Sequence, residues 1–390
     1  MERQSKLARA GKIMLDFAER TGLSGPLRTP QRYLWTDAHA VCNFLTLFRR
    51  TGDEDFKRLA TTLIDQVHEV LGQHREDDSR QGWISGLDHK QAPDHPTAGG
   101  LRIGKKLNER GPDDPFDERL EWDRDGQYFH YLTKWMHALC RTAIVTGERR
   151  YCRWAVELAK AAHSGFVFAC CPDGQRRLLW KMSIDLSYPL VPSAGLHDPL
   201  DGYVTYNELD FCSSRWAGNP GWAALDSEIS DTKAMIRGQQ WGTDDPLGVG
   251  GILFNLCRLL QMAAVGYLDE PRLCAALLRA TNDSLRRFHD GASLNHPASH
   301  RLAFRELGLA IGLRGIPLMG QIARSQPGLI TDDMLRDLGR VGPSVPMADA
   351  IEDFWQRTQS QQVPSWLDHW EINSTMLATS LQPAEFLSVT

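Results

Sequence analysis

Six stretches of the chain carry residue types that can do chemistry: RYLWTDAH from Arg32, EWDRDGQYFHY from Glu121, LHDPLDGYVTYNE from Leu196, QQWGTDDPLGVGG from Gln239, NHPASHRLAFRE from Asn295 and SWLDHWEINST from Ser365. Each holds Asp, Glu or His, and most hold Trp or Tyr. Carboxyl and imidazole groups give and take protons. Indole and phenol rings offer flat apolar faces with a polar tip. Together they suit a hydroxyl-rich substrate with flat apolar faces, such as a sugar. Each stretch opens a segment of 3.6-residue apolar periodicity, so each sits at a helix N-terminus. Capping alone accounts for many of the aspartates, since a side chain accepting an N–H bond there contributes about 1 kcal/mol. It does not account for the tryptophans and histidines.

The elements that position these stretches read as helical hairpins. TGDEDFKRLATTLIDQVH from Thr51 aligns with TGERRYCRWAVELAKAAH from Thr146, and GYLDEPRLCAALLRATNDSL from Gly266 is a looser third copy. Each copy joins two helices through a glycine turn. Periodicity places about twelve helices near 3–21, 33–50, 54–71, 126–146, 149–164, 201–214, 221–237, 247–264, 269–289, 299–313, 345–358 and 367–381, with 329–340 as helix 11 or an extra turn. The chemistry-bearing stretches open the even-numbered helices, whereas the odd ones open with plain surface signals. A closed double ring explains this, because its inner helices run one way and their first turns face one end. The fold is therefore expected to be all-α, a single domain over 1–390 with a small β-hairpin around Pro172, Asp173 and Gly174. The segment 73–120 is too long for a plain connector and holds Trp83, Ile84, Leu87, Leu101 and Ile103. It is expected to be ordered and to fold over the pocket.

Composition bounds the function. The 390 residues are 42% hydrophobic and 24% charged, with a net charge of −5. That excludes a strongly basic nucleic-acid binder. No stretch approaches about 18 uninterrupted apolar residues, so no membrane partner is expected. The N-terminus lacks the apolar block of a leader, and the eight cysteines are scattered at helical spacing. Both point to a cytoplasmic protein with thiols as small buried hydrophobes. Cys170-Cys171 lacks the spacing of a zinc or redox pair, and no His-Glu-x-x-His pattern is present, so neither metal nor cofactor is expected. Oligomeric state is open.

Hairpin count and helix openings resemble the six-hairpin, (α/α)6-toroid enzymes: glycoside hydrolases, polysaccharide lyases and the N-acylglucosamine 2-epimerase group. RYLWTDAHAVCNFLTLFRRTGDEDF looks somewhat like the first hairpin of the epimerases, which the resemblance would furnish with a pair of core histidines. This chain has His369 at helix 12 but Asp244 and Asp245 at helix 8. The resemblance therefore implies a carbohydrate-active enzyme with a small sugar substrate, first an inverting glycoside hydrolase, alternatively an epimerase or isomerase. A terpene-cyclase-like toroid, from GTDDP, and a non-catalytic scaffold rank lower. Inverting hydrolysis needs two carboxyls roughly 6.5–9.5 Å apart. Asp125, Glu371 and Asp245 are the catalytic candidates, with Glu371 preferred as partner because Trp370 can desolvate it. Asp37, Asp201 and Asp244 are substrate binders, Trp35, Trp122, Trp241 and Trp370 are stacking platforms, and His39, Tyr128, His130, His300 and His369 are positioning or acid–base groups. Trp135, Trp154 and Trp355 are expected in the core. In the long insert, His89, Arg102 and Lys105 are expected to approach the pocket, so that the sugar could bear a carboxylate or phosphate.

Overall fold

The structure is a computed structural model and describes residues 2–25, 30–169, 176–216, 224–291 and 293–389. The helices are α1 (Glu2–Arg20), α2 (Leu34–Thr51), α3 (Glu54–Leu71), α4 (Glu118–Asp123), α5 (Phe129–Thr146), α6 (Arg149–Phe166), α7 (Asp198–Ser214) and α8 (Asp226–Met235). They continue with α9 (Pro246–Ala264), α10 (Pro271–Asp290), α11 (Ala303–Ser325), α12 (Asp332–Val341), α13 (Pro346–Trp355), α14 (Pro364–Leu367), α15 (Trp370–Leu381) and α16 (Ala384–Leu387). Five short strands accompany them: β1 (Gln127–Tyr128), β2 (Val167–Ala169), β3 (Arg176–Leu178), β4 (Lys181–Met182) and β5 (Pro189–Val191).

The repeat read from the sequence is a backbone device. Gly52, Gly147 and Gly266 all take left-handed conformations, with φ of 74, 77 and 71°. A side chain is disfavoured there, so glycine ends one helix and turns the chain into the next. In the first copy Asp53 then caps α3, accepting from Asp55 N at 3.0 Å.

Contacts divide the chain into two compact units. One comprises Met1–Phe17, Arg49–Gly52 and Gly238–Thr390, the other Ala18–Phe48 and Asp53–Arg237. In the first unit α9 and α11 cross very closely. A Cβ built on Gly250 would fall 2.1 Å from the Gly308 carbonyl oxygen. Lys6 of α1 and Arg314 of α11 hold Asp349 and Glu352 of α13, with Lys6 Nζ 2.7 and 2.8 Å from the two carboxylates. Trp355 is fully buried and donates to Glu306, which takes a bidentate pair from Arg301. Among the described residues α9 alone has the length and apolarity to cross a membrane, and 72% of that window is buried in the protein. Helix 10 of the sequence reading is shorter than α11, which starts at Ala303 and runs on through Pro317 to Ser325. The segment read near 329–340 holds a separate helix, α12, over Asp332–Val341.

In the second unit α5 packs on α6 and α7, and α7 packs on α8. Polar links cross this core. His137 of α5 meets Glu208 of α7 at 2.8 Å, and Trp135 donates to His68 of α3 at 3.1 Å. Trp135 and Trp154 are buried as expected. Strands β2 and β3 pair antiparallel, Val167 opposite Leu178. The tip of that hairpin, with Pro172, Asp173 and Gly174, lies outside the described residues, as does the Cys170-Cys171 pair. A second sheet, β1-β4-β5, was not visible in the sequence. It pairs Tyr128 with Lys181 just before α5 begins.

Gly250→Ala should lower stability by about 1–3 kcal/mol, because the helix crossing must open to admit the methyl group. The neighbouring Gly251 has nothing within 4 Å of an added Cβ, so Gly251→Ala should gain up to about 1 kcal/mol from helix propensity. Urea unfolding of both variants checks the opposite signs.

Candidate functional site

Within the second unit the first turns of α2, α5 and α7 come together, as the pattern of helix openings requires. Tyr33 and Trp35 come from α2 and its approach, Tyr128, His130 and Tyr131 from the start of α5, and Asp198 and Asp201 from α7. Their rings form a continuous run. Trp35 lies 5.2 Å from Tyr131 and 5.8 Å from His130, centroid to centroid. Tyr131 lies 4.7 Å from His130, and its hydroxyl meets that of Tyr33 at 2.7 Å. Tyr128 is stacked between His130, at 5.5 Å, and Trp180, at 5.0 Å. Trp122 meets Trp180 edge-on at 5.5 Å and is 52% exposed, so the run reaches the unit's surface.

At the inner end stands an acid–base pair. Nδ1 of His130 is 3.9 Å from Oδ1 of Asp198. That is too long for a hydrogen bond. Both His130 Nδ1 and Asp198 Oδ2 are buried with no hydrogen-bond partner, as is the Trp35 indole nitrogen. Buried polar atoms are ordinarily satisfied, so three orphans in one cluster mark a place for a polar ligand. Beside them Lys134 of α5 donates to Asp201 of α7 at 3.0 Å, both groups buried. Burial, and then the Asp201 charge, raise the Asp198 carboxyl to about 8. Burial lowers His130 to about 4, the Lys134 charge acting in the same sense and Asp201 against it. Near neutral pH the pair is therefore a carboxylic acid facing a neutral imidazole, one able to give a proton and the other to take one.

Asp198 and Trp180 were missed by sequence reasoning. Asp198 lies three residues before Asp201 on the same helix face, and the sequence offered no way to see that Lys134 takes Asp201 and leaves Asp198. Trp180 reaches the site through the unforeseen β1–β4 pairing.

Several expected residues do other work. Asp125 is fully buried, and both its oxygens are occupied. Arg102 donates to Oδ2 at 2.6 Å, while the Gly104 and Gly126 N–H groups reach Oδ1 at 3.0 and 3.1 Å. Arg102 in turn holds the Val70 and Gln73 carbonyls at the end of α3. The pair staples the insert to the end of α3, which corrects the catalytic assignment of Asp125 and the substrate-binding one of Arg102. Asp37 is buried and accepts from Tyr33 N at 2.9 Å and Arg32 at 3.4 Å, shaping the start of α2. His39 is fully buried, bonded to the Trp35 carbonyl, and lowered to about 3 by burial, so it is a neutral core group. Asp201 is the ion-pair partner of Lys134. His89 is exposed on a surface turn, whereas Lys105 lies over the Tyr33 ring, its Nζ 5.4 Å from the centroid.

The remaining candidates belong to the first unit. Asp245 is the N-cap of α9, accepting from Leu247 N at 3.3 Å and pairing with Arg305 at 2.9 Å. Its catalytic assignment gives way to capping. Asp244 is an exposed partner of Arg287. Trp241 is buried, which removes it as an open platform. His300 ends a short 3-10 turn and His369 is the N-cap position of α15, both exposed. Trp370 and Glu371 form the first turn of α15 and are half-buried. Among the described residues no group of three or more His, Cys, Asp or Glu side chains is arranged to hold a metal.

No family model matches the chain, and no curated protein matches it. Solved structures do. The alpha-1,6-mannanase GH76A of Salegentibacter sp. HEL1_6 superposes with a TM-score of 0.52 at 10% identity, over 97% of this chain and 99% of that one. The cellobiose 2-epimerase of Spirochaeta thermophila DSM 6192 superposes with a TM-score of 0.50 at 10% identity, over 96% and 98%. The chain has the fold of these proteins, the six-hairpin (α/α)6 toroid.

Arg102→Met should cost about 2–4 kcal/mol, because it removes the nearer cation from buried Asp125 and leaves the longer Arg75 contact at 3.5 Å. Adding Asp125→Asn should restore part of that loss. Urea midpoints of the single and double variants measure it.

Proposed function

We propose that the chain is a carbohydrate-active enzyme whose acid–base pair is Asp198 and His130. The observation that carries this is the 3.9 Å gap between a protonated carboxyl and a neutral imidazole, both with unsatisfied buried atoms, at the end of a run of aromatic rings. The rings suit the apolar faces of a saccharide, and the orphaned polar atoms suit its hydroxyl or carbonyl oxygens. That a mannanase and a cellobiose epimerase share the fold supports the substrate class.

Within this class the pair favours sugar epimerisation or isomerisation. His130 takes a proton from the carbon beside the carbonyl of an open-chain sugar, while Asp198 gives its proton to the carbonyl oxygen. His130 then returns its proton to the enediol, at the former carbonyl carbon for isomerisation or at the opposite face of the carbon that lost it, after the chain bond beside it has turned, for epimerisation, while an enediol hydroxyl gives its proton back to Asp198. The overall change is an interconversion with no redox partner. Glycoside hydrolysis is the second reading, favoured by the protonated state of Asp198, which suits a general acid at the glycosidic oxygen. It needs an ionised carboxylate as base, and Asp37, Asp125 and Asp201 are all engaged elsewhere. Incubation with cellobiose and with an α-1,6-mannoside in D2O separates the two. Deuterium entering the carbon beside the carbonyl marks isomerisation, and new reducing ends mark hydrolysis. Neither change on any of a panel of mono- and disaccharides would overturn the proposal.

Asp198→Asn and His130→Gln should each fold and lose about 10²–10⁴-fold in turnover. Wild-type rate should fall as pH rises through about 8, where Asp198 loses its proton, and as pH falls through about 4, where His130 gains one. A pH–rate profile with both limbs, the alkaline one absent from residual Asp198→Asn activity, is the expected result.

A further inference from the structure

The insert places one cation beside this site without a counter-charge. Its backbone is clamped. Arg75 donates to the Lys105 carbonyl at 2.6 Å and the Lys106 carbonyl at 2.9 Å, and the preceding Gly104 N–H is held by Asp125. Gly104 takes a φ of 91°, and a Cβ there would fall 2.2 Å from the Arg32 carbonyl oxygen, so the insert lies directly against the approach to α2. The Lys105 ammonium is thereby set over the face of Tyr33 at 5.4 Å, a cation–π distance. Tyr33 is bonded to Tyr131, which abuts His130, so two rings separate this ammonium from the acid–base pair.

Two neighbouring cations, Lys181 and Arg102, are already neutralised. Lys181 donates to the Glu121 carboxylate at 2.8 Å and to the carbonyls of Glu121 and Arg124. Arg102 is spent on Asp125. No carboxylate among the described residues lies within ion-pair distance of Lys105 Nζ, although Asp123 and Asp125 act on it from further away. The side chain is half-buried, and burial followed by the Lys181 charge lowers its pKa. A partly desolvated ammonium with no anion is unfavourable, and an anionic ligand group would offset that cost.

We propose that Lys105 is the anion-recognising end of the site, and that the sugar bound there carries a carboxylate or phosphate. This rests on the saccharide reading above and narrows it to acidic sugars. Quenching of tryptophan fluorescence is the natural readout, since Trp35 and Trp180 line the ring run. The probes are glucose, glucuronate and glucose 6-phosphate. Wild-type protein should bind at least one of the two anions about ten-fold or more tightly than glucose, and whichever anion shows the gain identifies the group. Lys105→Met keeps the stem and removes the charge, and should bring the ratio to about one. Lys105→Arg should restore most of the preference. Asp198→Asn should keep the preference while losing turnover. If glucose binds and neither anion binds better, or if the preference survives in Lys105→Met, this inference is overturned and the saccharide reading stands. If none of the three sugars binds, the saccharide reading fails and takes this inference with it.

Discussion

The buried ion pair between Lys134 and Asp201 is the constraint on which the site depends. It joins the second turn of α5 to the first turn of α7 at 3.0 Å, where an isolated charge of either sign would be intolerable. Lys134 takes up Asp201 and leaves Asp198, one turn earlier on α7, beside it without an ion-pair partner of its own at hydrogen-bond distance. Two carboxylates that close together do not ionise equally. Burial, and then the Asp201 charge, hold the Asp198 carboxyl protonated at neutral pH. The same pair faces His130, whose ring is held neutral. Burial thus sets the protonation of two adjacent groups in opposite roles, and the charges of the Lys134–Asp201 pair act on both. Removal of Lys134 would take from both aspartates the cation that acts on them.

A second layer of structure keeps this arrangement in place. The insert closes onto the end of α3 and the approach to β1 through Arg102 and Asp125, and the β1–β4 pairing carries Trp180 and Lys181 against Tyr128. Arg80 ties the insert to the following loops by pairing with Asp78, Glu109 and Asp185. These contacts use charged groups as staples, so much of the polar character that looked catalytic in the sequence is structural. Among the buried polar atoms left unsatisfied, His130 Nδ1, Asp198 Oδ2 and the Trp35 indole nitrogen lie at the ring run, where a ligand could meet them.

The sequence was legible where a local rule acts. The Thr-Gly repeat announced left-handed glycine turns, the 3.6-residue periodicity gave most helix positions, and the openings of α2, α5 and α7 do converge. It was misleading where the same residue type serves two ends. Asp125, Asp245 and Asp37 carry the signature of helix-terminal aspartates, and a cap or a staple has the same signature as a catalyst until its partners are seen. Asp198 was hidden behind Asp201 because the choice between them is made by Lys134, sixty-seven positions away in the chain. Trp180 was hidden because strands of two or three residues leave no alternating pattern to read.

The central claim is that Asp198 is a carboxylic acid at neutral pH, and its own titration tests this most directly. Infrared difference spectra between the wild-type protein and Asp198→Asn, recorded from pH 4 to pH 10, isolate the Asp198 carboxyl stretch. The account predicts that the protonated band persists at pH 7 and gives way to the carboxylate band near pH 8. A carboxylate band already complete at pH 6 would contradict it, because an ionised Asp198 could not serve as the proton donor opposite His130.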